Sequence, residues 1–211
     1  IDKVYYLPQT WISLFKDFKL KTKKNNIYFF NPMKLQEHKK NSILKKLNVN
    51  NYIIFHFDHK WEDIKNIESD LYKQIVILQK NIKKNILISS FKNNSLYFKK
   101  NLAKINLFDP NKFYLYKKNN LPIYLIKDPE IFLQERLVST SEFSISCHSG
   151  ILVHSAAANE CKLIDVLNEN EILTQKCWAP LNNYFVVKKS NKSSKNDLDF
   201  IFSKIKKIIK S

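Results

Sequence analysis

A single glycine, Gly150, serves the whole of this 211-residue chain. One glycine cannot build G-x-G-x-x-G or a P-loop, so dinucleotide binding and NTP hydrolysis of those kinds are unsupported. Gly150 lies in the densest segment of the sequence: Ser146-Cys147-His148-Ser149-Gly150-Ile151-Leu152-Val153-His154-Ser155-Ala156-Ala157-Ala158. Elsewhere the composition has drifted toward Lys, Asn, Ile, Phe and Tyr, residues with A/T-rich codons. A segment that keeps Gly and Ala against that drift needs small side chains. It reads as strand, tight turn and helix N-terminus. There glycine permits positive φ or close backbone approach to a ligand, and N–H groups with the helix dipole hold an anion. The plain alternative is an ordinary strand–helix turn with a glycine for geometry.

From residue 51 onward, strand and helix patterns alternate. Tyr52-Ile53-Ile54-Phe55-His56-Phe57 is a short apolar run ending in Asp58-His59-Lys60-Trp61. Leu71, Ile75, Leu78 and Ile82 recur at helical spacing and predict a helix over about 69–81. Ile86 to Ile88 is a second strand, and Ser95 to Ile105 a candidate helix. Tyr114 to Tyr116 and Ile123 to Ile126 are strand candidates. Pro129 marks a helix start, with Ile131 to Leu137 continuing it. Phe143 to Ser146 is predicted as the central strand. Leu163 to Leu167 and Tyr184 to Val187 follow as strands, and Phe200 to Ile209 as a basic amphipathic helix. The expected fold is α/β, a Rossmann-like parallel sheet with helices on both faces. In such sheets ligands bind outside the carboxyl ends of the strands. Polar residues collect there: Asp58, His59 and Lys60; Ser89 and Ser90; His148 and Ser149. Residues 1–48 lack a clean period and read as the end of a preceding domain plus a connector. The Rossmann-like domain is expected over 49–190 and the terminal basic helix over 191–211. The chain begins at Ile1 rather than Met and is read as lacking an N-terminal portion.

The net charge of +17 suggests an anionic partner. Yet Arg136 is the only arginine among 36 basic residues. Readers of nucleic acid lean on arginine for bidentate contacts, so codon drift is the main source of the charge and no specific nucleic acid is expected. A basic single-strand-binding module that stacks bases on Tyr5, Tyr6, Phe29 and Phe30 is the competing reading. Cys147, Cys161 and Cys177 form no C-x-x-C, which argues against structural zinc, and their odd number argues for a reducing compartment. His148 and His154 are six apart with no third ligand set by spacing, so no metal is expected. Cys147 and His148 are adjacent on a strand and point to opposite faces, which disfavours a catalytic dyad. No apolar run approaches the roughly 18 residues needed to span a bilayer.

The ordered pieces resemble the C-terminal, donor-binding half of the heptosyltransferase-like glycosyltransferases (family 9, GT-B architecture). The carriers are His148-Ser149-Gly150, His154-Ser155-Ala156-Ala157-Ala158, Lys162 to Val166, Trp178-Ala179-Pro180, and the strand Tyr52 to Phe57 with its Lys60-Trp61 loop. The family's acidic residue is His148 here, and the spacing to His154 is one residue longer. The resemblance implies transfer of a hexose or heptose from a nucleotide-sugar donor to a lipopolysaccharide or surface-polysaccharide acceptor, saccharide or lipid-linked. It implies a bacterial cytoplasmic protein, in peripheral contact with an anionic inner membrane, needing no cofactor. Lys60, His148, Ser149, Gly150, Ile151 and His154 would bind the donor: the amides of Ser149, Gly150 and Ile151 meet its diphosphate, with Lys60 as a point charge. The general base belongs to the N-terminal domain in this family, so no catalytic residue is assigned. A degenerate, non-catalytic half-domain, with His148 marking a lost donor contact, is the remaining alternative.

Overall fold

A computed structural model describes residues 51–61, 64, 67–90, 103–104, 113–119, 121–129, 131–150, 156, 161–176, 183–189 and 197–211. The readings at 1–48, Ile151, His154 and Trp178-Ala179-Pro180 lie outside the described residues. Eight strands form one sheet: β1 (Tyr52–Phe57), β2 (Asn85–Ser90), β3 (Ala103–Lys104), β4 (Phe113–Asn119), β5 (Leu121–Lys127), β6 (Phe143–Ser146), β7 (Lys162–Leu167) and β8 (Tyr184–Lys188). Their order is β3-β4-β5-β2-β1-β6-β7-β8. The six from β5 to β8 in that row pair parallel. Numbered along the chain, those six run 3-2-1-4-5-6, the doubly wound order of a dinucleotide-type sheet. The fold is α/β and Rossmann-like. β6 is interior, as expected, with parallel neighbours on both sides.

The four described helices are α1 (Ile67–Ile82), α2 (Ile131–Ser139), α3 (Glu169–Lys176) and α4 (Asp197–Lys210). Alternation along β1 divides the core. Ile53, Phe55 and Phe57 join Leu71, Ile75 and Leu78 of α1 and Ile201, Phe202 and Ile205 of α4. Tyr52 and Ile54 join Leu137 and Val138 of α2, together with Ala156. Successive strand residues point to opposite faces, so helices cover both sides. That is why these strands read as apolar runs rather than alternating ones. α4 is amphipathic and buries Leu198, Ile201, Phe202, Ile205 and Ile209. Its Phe202 ring lies 6.0 Å from that of Phe55 and 6.5 Å from that of Trp61.

Two sequence expectations are corrected, and one helix was missed. Ala103–Lys104, within the candidate helix 95–105, is a strand. β4 pairs with β5 antiparallel in a hairpin, so Tyr114 to Tyr116, expected in the parallel set, lies outside it, while β5 keeps its parallel pairing with β2. α3 went unrecognised because its sequence, ENEILTQK, has hardly any apolar periodicity and leaves Leu173 exposed.

The second face carries a buried polar group. His56 Nδ1 lies 2.7 Å from Ser89 Oγ, and Gln134 Nε2 of α2 donates to the same oxygen at 3.0 Å. Burial lowers the His56 imidazole to about 4. The folded state therefore resists protonating His56, while the unfolded chain takes the proton near the ordinary value of 6.5. Stability from this group is intact above pH 6.5 and falls as pH drops from there toward 4, by about 3 kcal/mol. Denaturant unfolding followed against pH should show that slope in the wild type and a flatter one in His56→Asn. Separately, Phe202→Ala should cost about 3–5 kcal/mol in the same assay, the usual loss for a fully buried ring.

Candidate functional site at the strand switch point

β1 leads through α1 to β2 on one side, whereas β6, on β1's other side, leads outward to β7. The winding of the sheet reverses between β1 and β6, and in sheets of this kind ligands bind outside the carboxyl ends of the strands at that point. The Asp58–Trp61 loop and the Cys147–Gly150 turn meet there.

The loop after β1 is pinned from several sides. A 3₁₀ turn spans His59–Trp61. The Lys60 amide donates to Asp58 Oδ1 at 3.0 Å, and Trp61 Nε1 donates to the His56 carbonyl at 3.0 Å. Lys60 Nζ donates to the His148 carbonyl at 2.7 Å. Lys189, just past β8 and buried, donates through Nζ to the Lys60 carbonyl at 2.8 Å. Burial pushes the Asp58 carboxyl up, and the Lys60 amide and nearby cations, Lys60 among them, pull it partly back. Lys60 and His148 thus meet at the carboxyl ends of β1 and β6.

The turn after β6 differs from expectation in its backbone. Positive φ falls on His148, at 52°, not on glycine. Gly150 has helical backbone, as does Ala156. A Cβ added at Gly150 would meet nothing within 4 Å, so the position faces open space rather than packed protein. Histidine is among the residues that tolerate the left-handed region. Ser149 sits just before the helical residues, a place serine favours, and is buried. Its amide is directed inward to Ser146 Oγ at 3.4 Å.

Two residues at this candidate site, Asp165 and Tyr184, escaped the sequence reading. Asp165 of β7 is wholly buried and accepts from the His148 amide at 2.7 Å. Its other oxygen lies 2.7 Å from His148 Nδ1 and accepts from Tyr184 Oη at 2.9 Å. Burial, then the Asp165 charge, drives the Tyr184 phenol up. The signal was present: an aspartate inside the apolar run Leu163-Ile164-Asp165-Val166-Leu167 needs partners, since aspartate is almost never fully buried unpaired. Among the described residues, no group of three or more His, Cys, Asp or Glu side chains converges to hold a metal. No helix among them is long and apolar enough to cross a membrane.

The class that the fold defines is a Rossmann-like α/β domain, with Lys60 and His148 at its switch point. No protein-family model matches the sequence, and no curated protein matches it. Similar solved structures include an NMR structure of ALG13, 16% identical, with TM-score 0.39, covering 58% of this chain and 67% of that one. Another is the glycosyltransferase SnogD from Streptomyces nogalater, 11% identical, with TM-score 0.35, covering 77% of this chain. This chain spans 40% of SnogD. Likenesses of that size carry no weight for function, and the fold rests on the sheet order itself.

The Cys147 thiol lies beneath this site and is fully buried. Burial pushes it well above the ordinary range, with the Lys189 ammonium pulling the other way. Cys147 should stay unlabelled by a thiol-specific reagent in the native protein and label fully after denaturation, as read by peptide mass spectrometry. Rapid native labelling would show that the turn opens readily.

Proposed function

We propose that this chain is the donor-binding half of a glycosyltransferase that uses a nucleotide-sugar. The observation that carries the reading is the junction of Lys60 Nζ with the His148 carbonyl at the switch point. It brings the ammonium to the backbone of the residue that carries the imidazole, at the place where a doubly wound sheet binds phosphate-bearing ligands. One N–H of Lys60 is engaged with the carbonyl, leaving two donors for a phosphate. The open space before Gly150 leaves room for close approach. Gly150, Ile151 and His154 complete the proposed donor set; the Ser149 amide, expected to meet the diphosphate, is turned inward to Ser146 Oγ and does not join it. The chemistry asked of the site is electrostatic: as the sugar's anomeric C–O bond breaks, the departing nucleoside diphosphate gains charge, and fixed cations stabilise it. The base that deprotonates the acceptor belongs to a preceding domain in this reading. Residues 49–190 are then the donor domain, with 1–48 joining it to the acceptor side and 191–211 closing it.

The heptosyltransferase-like motif order supports a hexose or heptose donor and a lipopolysaccharide or surface-polysaccharide acceptor. Transfer would then take place in the bacterial cytoplasm beside the inner membrane.

Calorimetric titration with UDP, GDP, ADP and TDP should identify one ligand that binds. Lys60→Met should weaken it about tenfold or more, the worth of one charged hydrogen bond. Thermal melting of the same variant checks that the fold persists. Binding of single-stranded oligonucleotide with no response to any nucleoside diphosphate would overturn the reading.

A further inference from the structure

Asp165 has no part in donor binding as described so far, yet it is the most deeply buried charge at the site. Its two oxygens take three donors: the His148 amide, His148 Nδ1 and Tyr184 Oη. A carboxylate only accepts, so the proton between Asp165 and the ring belongs to Nδ1. The clamp is two-pronged, because backbone and ring of one residue bind opposite oxygens of one carboxylate. The left-handed backbone at His148 lets both donors reach it. From the other side Lys60 Nζ holds the His148 carbonyl. Amide, carbonyl and Nδ1 are therefore all committed, and Nε2 is the one polar atom of His148 left over. The side chain keeps 19% of its surface exposed while Asp165 keeps none. A purely structural tie would not need an imidazole reaching solvent.

We propose that Asp165 is a positioning residue: it fixes the proton on Nδ1 of His148 and aims Nε2 at the phosphate of the bound ligand. This rests on the donor-binding reading. A phosphate oxygen beside Nε2 requires a proton there, since a bare lone pair would repel it, so ligand binding is coupled to proton uptake at Nε2. The charged and titratable groups facing this ring are Asp165, Tyr184 and Lys60, with Asp58, Cys147 and Lys189 behind them. During transfer the anomeric C–O electron pair leaves on the diphosphate oxygen. The new bond forms to the acceptor hydroxyl, whose proton passes to the acceptor-side base. His148 keeps its Nε2 proton and hydrogen-bonds the charge that develops.

Long-range proton–nitrogen spectra of the whole protein test the orientation without any ligand, the His148 signals being assigned with His148→Gln. Wild type should show neutral His148 protonated at Nδ1. Asp165→Asn places an amide N–H against Nδ1 and should move the proton to Nε2. Titration with inorganic pyrophosphate at mildly alkaline pH, in two buffers of different ionisation enthalpy, should show proton uptake in wild type. Asp165→Asn should lose that uptake and bind about tenfold more weakly or worse. Tyr184→Phe, which leaves the pair itself intact, should retain both. A wild-type ring protonated at Nε2 overturns the role of Asp165 and leaves donor binding standing. The Nδ1 form, without pyrophosphate or nucleotide binding, overturns the phosphate contact and the donor reading and leaves the orientation standing. If Asp165→Asn does not fold, the wild-type tautomer alone decides the orientation.

Discussion

Burial of β1 and β6 on both faces is the constraint from which the rest follows. All six residues of β1 and all four of β6 are buried. Strands that see no solvent on either side need helices above and below, and α1, α4, α2 and the helical residue Ala156 supply them. With β1 and β6 side by side and parallel, their chain ends emerge together. The loop Asp58–Trp61 and the turn Cys147–Gly150 are neighbours because of that pairing, although 88 residues separate the Lys60–His148 contact. The site is a consequence of sheet order.

The parallel part of the fold was legible because its apolar runs are uninterrupted and its helices periodic. The hairpin was not, since Tyr114 to Tyr116 and Ile123 to Ile126 look alike whether paired parallel or antiparallel, and the pattern carries no direction. α3 hid behind a sequence without a buried stripe. At the site, strand-end position exposed Lys60 and His148. Asp165 stayed hidden because it lies inside a strand, one register step across from Ser146, and strand interiors are read for packing. The glycine misled in its mechanism: it stands one residue past Ser149, while the left-handed backbone is at His148. Sequence reasoning assigns positive φ to glycine by default and overlooks a side chain whose own bonds hold that conformation.

The Lys60 loop illustrates how a cation is made ready without a ligand. Its amide, carbonyl and ammonium each have a fixed partner: Asp58, Lys189 and the His148 carbonyl. A lysine ordinarily loses up to about 2 kcal/mol of rotamer freedom when it becomes ordered. Here much of that ordering is done by folding, so an incoming anion would meet a charge already in place.

The left-handed backbone at His148 has a meaning for how this chain can vary over evolutionary time. That conformation costs a non-glycine residue on the order of 1–3 kcal/mol, and the ties to Asp165 and Lys60 hold it. With the role proposed for its ring, two requirements share one position. Glycine or asparagine would relieve the backbone while removing the ring, and a β-branched residue would satisfy neither. Losing the imidazole at position 148 would leave the two buried faces of the sheet untouched. A lineage released from selection for chemistry would show the change here first, as a fold that persists after its side chain has gone.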